Sequence, residues 1–185
     1  PMGGEVIPLF NYVYHEYIGA YSAAMPECNR PEVLYWTRCM GKSLVHGVVP
    51  NGGKYFPEPA ELNPITFGFY KKIVRAAAKE CWPYLMFGEM LCPSKIDVPT
   101  ITASYCKMTS DYDHIDPKNR HDVQDSAVQH SVWRSRDGYI GYFFVNVSED
   151  PVRFNVELSS YGMESETYDV ERVMDGVRDR WLRAV

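Results

Sequence analysis

A short run near the start of the chain carries the residues best suited to chemistry. The apolar, β-branched and aromatic stretch that begins at Val6 ends in Tyr14, His15, Glu16 and Tyr17. These side chains supply a carboxylate, an imidazole and two phenols, which exchange protons or hydrogen-bond a ligand. A strand rarely finishes with so many polar and ionisable groups unless they hold something there. The pattern therefore predicts a binding or reaction site at the end of a strand.

Metal and redox chemistry are not indicated elsewhere. Five cysteines, at 28, 39, 81, 92 and 106, occur without any C-x-x-C pair, so neither a zinc site nor a redox motif is present. We expect reduced thiols that pack as small hydrophobic side chains, with at least one unpaired or paired to another chain. The acidic stretch SDYDHID, residues 110–116, lacks the glycine and the distal glutamate of a calcium loop. A solvated loop is the preferred interpretation over weak cation binding.

Composition limits the class of protein. The chain has 185 residues, of which 45% are hydrophobic, and a net charge of -5, which fits a folded soluble protein of one large or two small domains. The absence of a Lys/Arg block argues against nucleic-acid binding. No apolar segment approaches the roughly 20 residues needed to span a bilayer, so we expect no membrane partner. Cysteines without a disulfide framework favour the cytoplasm.

The first half of the chain alternates predicted strands and helices. Residues 6–14 are nearly continuously apolar, as in a parallel strand covered on both faces. A helix follows from Pro31 and is closed by Gly41, and residues 43–50 form a second buried strand. Asn63 and Pro64 cap another helix that ends near residue 80. The order strand, helix, strand, helix predicts parallel strands joined by crossover helices.

The second half has the pattern of antiparallel strands. Asp137-Gly138 is a tight hairpin signal between two of them, and apolar residues alternate with polar ones from Val152 to Leu158. We place a domain boundary near Trp82-Pro83 and expect a β-sandwich after it. The predicted strands are residues 84–91, 101–108, 125–135, 139–148, 152–160 and 166–174.

The order of these segments resembles a known family. The segments IPLFNYVYHEY, SLVHGVVPNGG, PYLMFGEMLCP and HSVWRSRDGYIGYFFVNVSEDPVRFNVEL occur in turn. Together they resemble the C-terminal portion of a poorly characterised family of (β/α)8-barrel glycoside hydrolases. The most specific pieces are PLFxxVYHEY, FGEML and WRSxDGxxGxxxVN. The resemblance implies an α/β part followed by an all-β part: residues 1–82 would be the last two units of a barrel catalytic domain, and residues 83–185 an antiparallel β-sandwich accessory domain.

The resemblance also implies a catalytic carboxylate. Barrel active sites lie at the carboxyl ends of the strands, which would place Glu16 at the end of the seventh strand as a candidate nucleophile. Glycoside hydrolysis normally uses two carboxyl groups, and the partner belongs to an earlier strand that this sequence does not contain. The implied enzyme, acting on a carbohydrate without a cofactor, is therefore incomplete in this chain alone.

Several other residues would line such a site, and each has a structural alternative. Glu16 could equally be an ordinary strand-end carboxylate, and the histidines could be packed in the core. The loop residues would otherwise form a turn or pack on their own loop. Glu89 is expected to point outward from the first sandwich strand. The candidate substrate-binding residues are Tyr14, His15, Tyr17, His46, Asn51 and Tyr55.

Two further interpretations stay open. The chain could be a non-catalytic carbohydrate-binding or structural module whose aromatic rings lie coplanar on one sandwich face, or an inactive truncated chain. In every case, two barrel units cannot close a barrel and leave unpaired strand edges. We therefore expect a homo-oligomer or a part of a longer polypeptide.

Overall fold

A computed structural model describes residues 8–22, 32–50, 63–108, 115–158, 161–162 and 167–184. Within these ranges, none of the helices combines the length and apolar character needed to cross a membrane. The helices are α1 (Leu9–Tyr14), α2 (Val33–Val45), α3 (Pro64–Lys79) and α4 (Trp82–Leu85). The strands are β1 (Ala20–Ser22), β2 (Val48–Pro50), β3 (Glu89–Leu91), β4 (Thr100–Met108), β5 (Ile115–Ser126), β6 (Val128–Arg134), β7 (Ile140–Asn146), β8 (Tyr168–Met174) and β9 (Val177–Ala184).

The strands form small separate sheets. β1 and β2 pair in parallel, from Ala20 opposite Val48 to Ser22 opposite Pro50, and α2 connects them. β3, β6 and β7 form an antiparallel sheet, and β4–β5 and β8–β9 form two antiparallel hairpins. The described residues thus combine helices with mainly antiparallel sheets and contain no closed barrel. The prediction of a mixed α/β part followed by antiparallel strands is confirmed at this level. Its assignment to barrel units and a sandwich stays a prediction.

The N-terminal segment differs from the predicted strand. Residues 9–14 form a helix, in which the His15 N–H donates to the Asn11 carbonyl at 3.1 Å. Helical spacing puts Asn11 and His15, four residues apart, on one side. Both side chains are buried there and bind backbone carbonyls of distant segments. The apolar residues between them face outward, so the polar pair rather than the apolar run decides which side is buried.

Gly41 does not end α2, which continues to Val45, so the predicted strand over residues 43–50 begins only at Val48. A Cβ atom on Gly41 would lie 2.6 Å from Val147 Cγ1 and 3.0 Å from Val145 Cγ1. The glycine therefore allows close approach of α2 to the end of β7. It is a packing residue and not a C-terminal cap.

The predicted start of α3 is confirmed. The Asn63 side chain accepts a hydrogen bond from the Thr66 N–H at 3.2 Å, and Pro64 occupies the first turn, where its missing N–H costs nothing. Ile73 and Ala77 are buried against the core, as the apolar periodicity indicates. Ile65, in the first turn of the helix, is 67% exposed.

The second half confirms most of the predicted strands. β4, β6, β7 and β8 fall within the expected ranges, and Gly138 has φ +85° in the turn between β6 and β7. Only Glu89–Leu91 of the 84–91 segment is a strand, because Trp82–Leu85 form a helical turn. Residues 152–158 pair with no strand, although Val152, Phe154 and Val156 are still half-buried. β5 and β9 were not predicted.

Trp133 stands at the centre of the core. Its side chain is fully buried, and the indole N–H lies 2.9 Å from Ser131 Oγ and 3.2 Å from the Val45 carbonyl. These hydrogen bonds connect β6 to the end of α2, which also packs against α3. The other core residues include Tyr35, Met40, Leu44, Val45, Tyr70, Ile73, Leu85, Ala103, Val123 and Phe143.

The cysteines of the described ranges, Cys39, Cys81, Cys92 and Cys106, are free thiols, as expected. Cys81 belongs to the core, where burial raises its pKa to about 12. It behaves as a small hydrophobic residue rather than a nucleophile. Cys92 is exposed and does not match that description, and Cys28 lies outside the described residues.

Candidate functional site

Of the candidate residues at positions 14–17, Tyr14 ends α1 and the other three lie in the turn between α1 and β1. The N–H groups of Tyr17 and Ile18 both donate to the Tyr14 carbonyl, at 2.9 and 3.0 Å, and close this turn. The turn precedes the short strand β1, so these residues lie near its amino end and not at the carboxyl end of a strand as predicted. The physical reason is the helical conformation of residues 9–14, which moves the first strand to Ala20.

Glu16 and Tyr17 form an accessible pair in this turn. Both are exposed, Tyr17 with 70% of its surface accessible. A hydrogen bond to the Glu16 carboxylate, together with its negative charge, raises the pKa of the Tyr17 hydroxyl. The pair presents an anionic acceptor beside an aromatic ring. Such a combination accepts hydrogen bonds from ligand hydroxyls and offers a ring face to C–H groups.

Tyr14 belongs to a different surface of the segment. Its ring lies 5.3 Å from the ring of Phe10, one turn earlier in α1, and half of the residue is exposed. The spacing of four residues along a helix brings the two rings together. Tyr14 is thus part of an aromatic strip on α1 that adjoins the Glu16 turn.

His15 is buried beneath this turn and is not accessible to a ligand. Its Nδ1 lies 3.0 Å from the Gly88 carbonyl oxygen, and its Nε2 lies 3.0 Å from that of Gly47. The imidazole also packs against the Trp133 indole, with 4.6 Å between the ring centroids. These contacts fit the structural alternative for His15. By holding three chain segments together, they set the position of Glu16, the next residue.

Contacts of Gly47 and of Asn11 also hold His15 and its turn in place. Gly47 has φ +73°, and a Cβ atom there would lie 2.6 Å from both His15 Nε2 and Trp133 Cη2. Glycine is therefore required for its backbone conformation and for the space that the two rings occupy. The Asn11 side-chain amide donates to the His46 carbonyl, one residue before Gly47. The turn that carries Glu16 is consequently fixed on its buried side, while Glu16 and Tyr17 on its other side are exposed to solvent.

The His46 side chain belongs to another environment. Burial lowers its pKa to about 4, helped by the positive charge of Lys42 and opposed by Asp125. The imidazole is therefore neutral at pH 7. His46 fits the core alternative rather than the predicted role in substrate binding.

A buried ionic cluster beside His46 was not found from the sequence. Asp125 Oδ2 lies 2.7 Å from Arg38 Nη2 and 3.0 Å from Lys42 Nζ, and the side chains are 11%, 3% and 16% exposed. Burial raises the pKa of Asp125, but hydrogen bonds from Lys42 and Gln129 and the charge of Arg38 outweigh it, so the net shift is downward. The i, i+4 spacing of the two cations on α2 was the available signal. It gave no partner, because the spacing of two cations along one helix does not identify a carboxylate elsewhere in the chain.

Two predicted site residues and most of one candidate stretch are not among the described residues. Asn51 and Tyr55 lie outside the described residues, as does most of the acidic stretch 110–116. Glu89 is exposed and pairs with Arg134 at 2.6 Å, which confirms its outward position. Across the described ranges, no cluster of three or more His, Cys, Asp or Glu side chains is arranged to hold a metal ion.

A shallow groove lies elsewhere, between the amino ends of α2 and α3 and the turn after β7. It has a volume of about 370 Å³, and Ile65, Phe69, Lys72 and Ser148 are among its lining residues. None of the predicted site residues lines it. The groove is largely apolar, and its charged lining residues are Lys72 and Glu149.

Comparison of the chain with protein-family models, with curated proteins and with solved structures finds no match in any of the three.

Proposed function

We propose that this chain is the C-terminal portion of a glycoside hydrolase in which Glu16 supplies one of the two carboxyl groups. The single observation that carries the proposal is the exposed Glu16 carboxylate beside the exposed Tyr17 ring, on a turn held in place by buried His15. The sequence resemblance supplies the reaction class. The parallel β1–α2–β2 unit supports a barrel origin for residues 1–82, and the antiparallel strands support a sandwich origin for residues 83–185.

The chemistry of the pair suits a sugar substrate. A glycan presents hydroxyl groups that donate to a carboxylate and C–H faces that pack on an aromatic ring. In the reaction, Glu16 would act as the nucleophile, or as the base for water, while a second carboxylic acid protonates the leaving oxygen. That acid must come from another region of polypeptide, roughly 5 to 10 Å from Glu16. Tyr17 would orient the Glu16 carboxylate through their hydrogen bond.

A non-catalytic sugar-binding sheet face is the principal alternative, and it requires coplanar aromatic rings. On the face of β7 turned away from α2, the Phe144 and Phe154 rings are 5.1 Å apart and tilted by 53°. The neighbouring Tyr142 and Tyr161 rings are tilted by 52°. These two pairs do not form flat platforms, whereas the His130 and Phe144 rings, opposite each other on β6 and β7, are nearly coplanar at 7°. The alternative is therefore tested beside the enzyme proposal.

The proposal is tested first by binding. Oligosaccharides from a glycan panel are titrated against the chain, its Glu16→Gln variant and its Tyr17→Ala variant by calorimetry. We expect binding by the parent chain and at least a tenfold weaker affinity for both variants. Glu89→Gln is the matched control, since Glu89 is also an exposed carboxylate but pairs with Arg134. Failure to bind any glycan, or equal binding by Glu16→Gln, contradicts the proposal.

Hydrolysis is tested in a polypeptide that also carries the partner carboxylate. With an aryl glycoside as substrate, Glu16→Gln should lower kcat by at least a thousandfold. The reason is that a glutamine amide can neither attack the sugar as a nucleophile nor take a proton from the attacking water. Tyr17→Phe should retain glycan packing but lose the hydrogen bond, and we expect a smaller loss of about tenfold. An unchanged kcat in Glu16→Gln would exclude Glu16 from the reaction.

A further inference from the structure

Helix α1 exposes an unusual number of large apolar side chains. Only Asn11 among its six residues is buried, and His15 just after the helix adds a second anchor on the same side. The remaining five side chains define what we call the α1 face. They are Leu9, Phe10, Tyr12, Val13 and Tyr14, with 64%, 56%, 51%, 46% and 49% of their surfaces exposed.

The sequence pattern of α1 is that of a covered helix. A surface helix normally places polar residues outward, whereas one that is apolar around most of its circumference is buried. Here the polar side chains point inward and the apolar ones outward, which reverses the usual pattern. Isolated apolar side chains on a surface need no explanation, but five contiguous ones mark an interface.

The size of the α1 face fits a contact between proteins. Each aromatic side chain offers roughly 150–250 Å² when fully exposed, so three half-exposed rings contribute about 300 Å². Leu9 and Val13 raise the exposed apolar area of the helix to roughly 450–500 Å², most of it on the side shared by Leu9, Phe10, Val13 and Tyr14. With the rim atoms that any contact adds, this approaches the ~600 Å² per partner at the low end of specific interfaces. The expected complex is therefore specific but weak.

From these observations we propose that the α1 face is a self-association surface that packs against the α1 face of a second copy of the chain. None of its five side chains is charged, so two such faces meet without like-charge repulsion although each chain has a net charge of -5. A tyrosine- and phenylalanine-rich patch is also typical of interface centres. A symmetric dimer is the closed assembly that one such patch supports.

The arrangement has a consequence for the Glu16 turn. Tyr14 ends the α1 face, and Glu16 lies two residues beyond it. A second copy seated on α1 would therefore form a wall beside the otherwise open Glu16–Tyr17 pair. This consequence rests on the proposed function, but the association itself does not, because it is measured without glycan.

The experiment is sedimentation equilibrium of the chain over a hundredfold range of concentration. We expect a monomer–dimer equilibrium in the micromolar range. The double variant Phe10→Glu, Tyr14→Glu adds charges to the α1 face and should weaken the dimer at least tenfold. Both positions are exposed, so circular dichroism should match that of the parent chain. A chain that stays monomeric throughout, or a dimer that survives both substitutions, overturns the proposal.

A matched control separates this face from general surface hydrophobicity. Met174 and Val177, at the tip of the β8–β9 hairpin, are 61% and 67% exposed. The double variant Met174→Glu, Val177→Glu adds the same charge elsewhere and should leave the dimer intact. Glu16→Gln should also retain the dimer, which distinguishes loss of association from failure of the proposed glycosidase function. Equal weakening by the hairpin variant would contradict the assignment to α1.

Discussion

Ionic contacts occur in two parts of the molecule with very different surroundings. Around α2, Asp125 bridges Arg38 and Lys42, and all three side chains are largely buried. In the β8–β9 hairpin, Arg172 pairs with Asp179 at 2.7 Å, but both side chains are nearly half exposed. Water and salt screen the hairpin pair, whereas the buried group depends on its partners for compensation of charge. The distance between the charged atoms therefore does not show which of the two ionic groups contributes more to stability.

Removal of the buried carboxylate is the strongest test of this difference. Asp125→Ala leaves Arg38 and Lys42 without their anion, and we expect a loss of about 4 kcal/mol in the free energy of unfolding. Urea denaturation measures it. Asp122→Ala is the control on the same strand, since Asp122 is exposed and accepts only a hydrogen bond from Ser104. A loss below about 1 kcal/mol for Asp125→Ala would show that the cluster is effectively solvated.

Glycine substitution sharpens the comparison at the backbone. Gly47 and Gly176 have φ of +73° and +80°, so alanine is conformationally strained at both. At Gly47 the new methyl group would meet the buried rings of His15 and Trp133, and we expect a loss of about 3 kcal/mol. At Gly176 it meets the exposed Arg75 guanidinium, which can move, and the loss should be about 1 kcal/mol. Thermal unfolding of both variants gives the difference; equal losses would contradict it.

As the pH falls, the first loss of folding stability should come from the half-buried His46. Unfolded His46 binds a proton near pH 6.5, whereas the folded chain does so only near pH 4, so stability falls as the pH drops between these values. Between pH 7 and pH 5 the loss should be about 2 kcal/mol. Asp125, whose pKa is lowered, adds a further loss below its ordinary value of 3.8. Urea unfolding at several pH values measures the slope, and His46→Gln should reduce it between pH 7 and pH 5; an unchanged slope would exclude His46.

The hairpin pairs should contribute least. Asp169 and Asp179 contact Arg180 and Arg172 at the surface, and we expect Asp169→Ala or Asp179→Ala to leave the midpoint of urea unfolding almost unchanged. The small effect should disappear in 1 M NaCl, where exposed charges are screened within about 3 Å. A loss comparable to that of Asp125→Ala would remove the distinction between the two regions.

Local sequence signals were sufficient to predict the capped start of α3 and the tight turn between β6 and β7. Asn63-Pro64 and Asp137-Gly138 specify their conformations through short-range contacts, and both predictions are confirmed. Of the strand predicted for residues 6–14, the part over residues 9–14 was wrong, because its apolar run obscured the helical spacing of Asn11 and His15. Those two residues are buried only because distant carbonyl groups, at positions 46, 47 and 88, accept their hydrogen bonds. Such partners cannot be identified from a local pattern.

In the candidate site too, the sequence predicted the local feature but not the part that depends on distant residues. An unusual density of polar chemistry at positions 14–17 was recognised, and the structure separates it into an exposed pair, Glu16 and Tyr17, and a buried anchor, His15. The sequence could not distinguish these roles, since a histidine next to tyrosines fits either. Asp125 was missed as an ionic partner because it was assigned to the start of the strand predicted for residues 125–135. It lies instead near the end of β5, the strand that brings it to α2.

The burial of Trp133 makes one proton a reporter on the whole fold. Its indole N–H is shielded completely and shared between Ser131 and Val45, while His15 covers the ring from α1. Exchange of this hydrogen for deuterium requires that β6, the end of α2 and the N-terminal segment separate. The exchange rate of that single resonance should therefore follow global unfolding, whereas the half-exposed Trp82 exchanges through local motion.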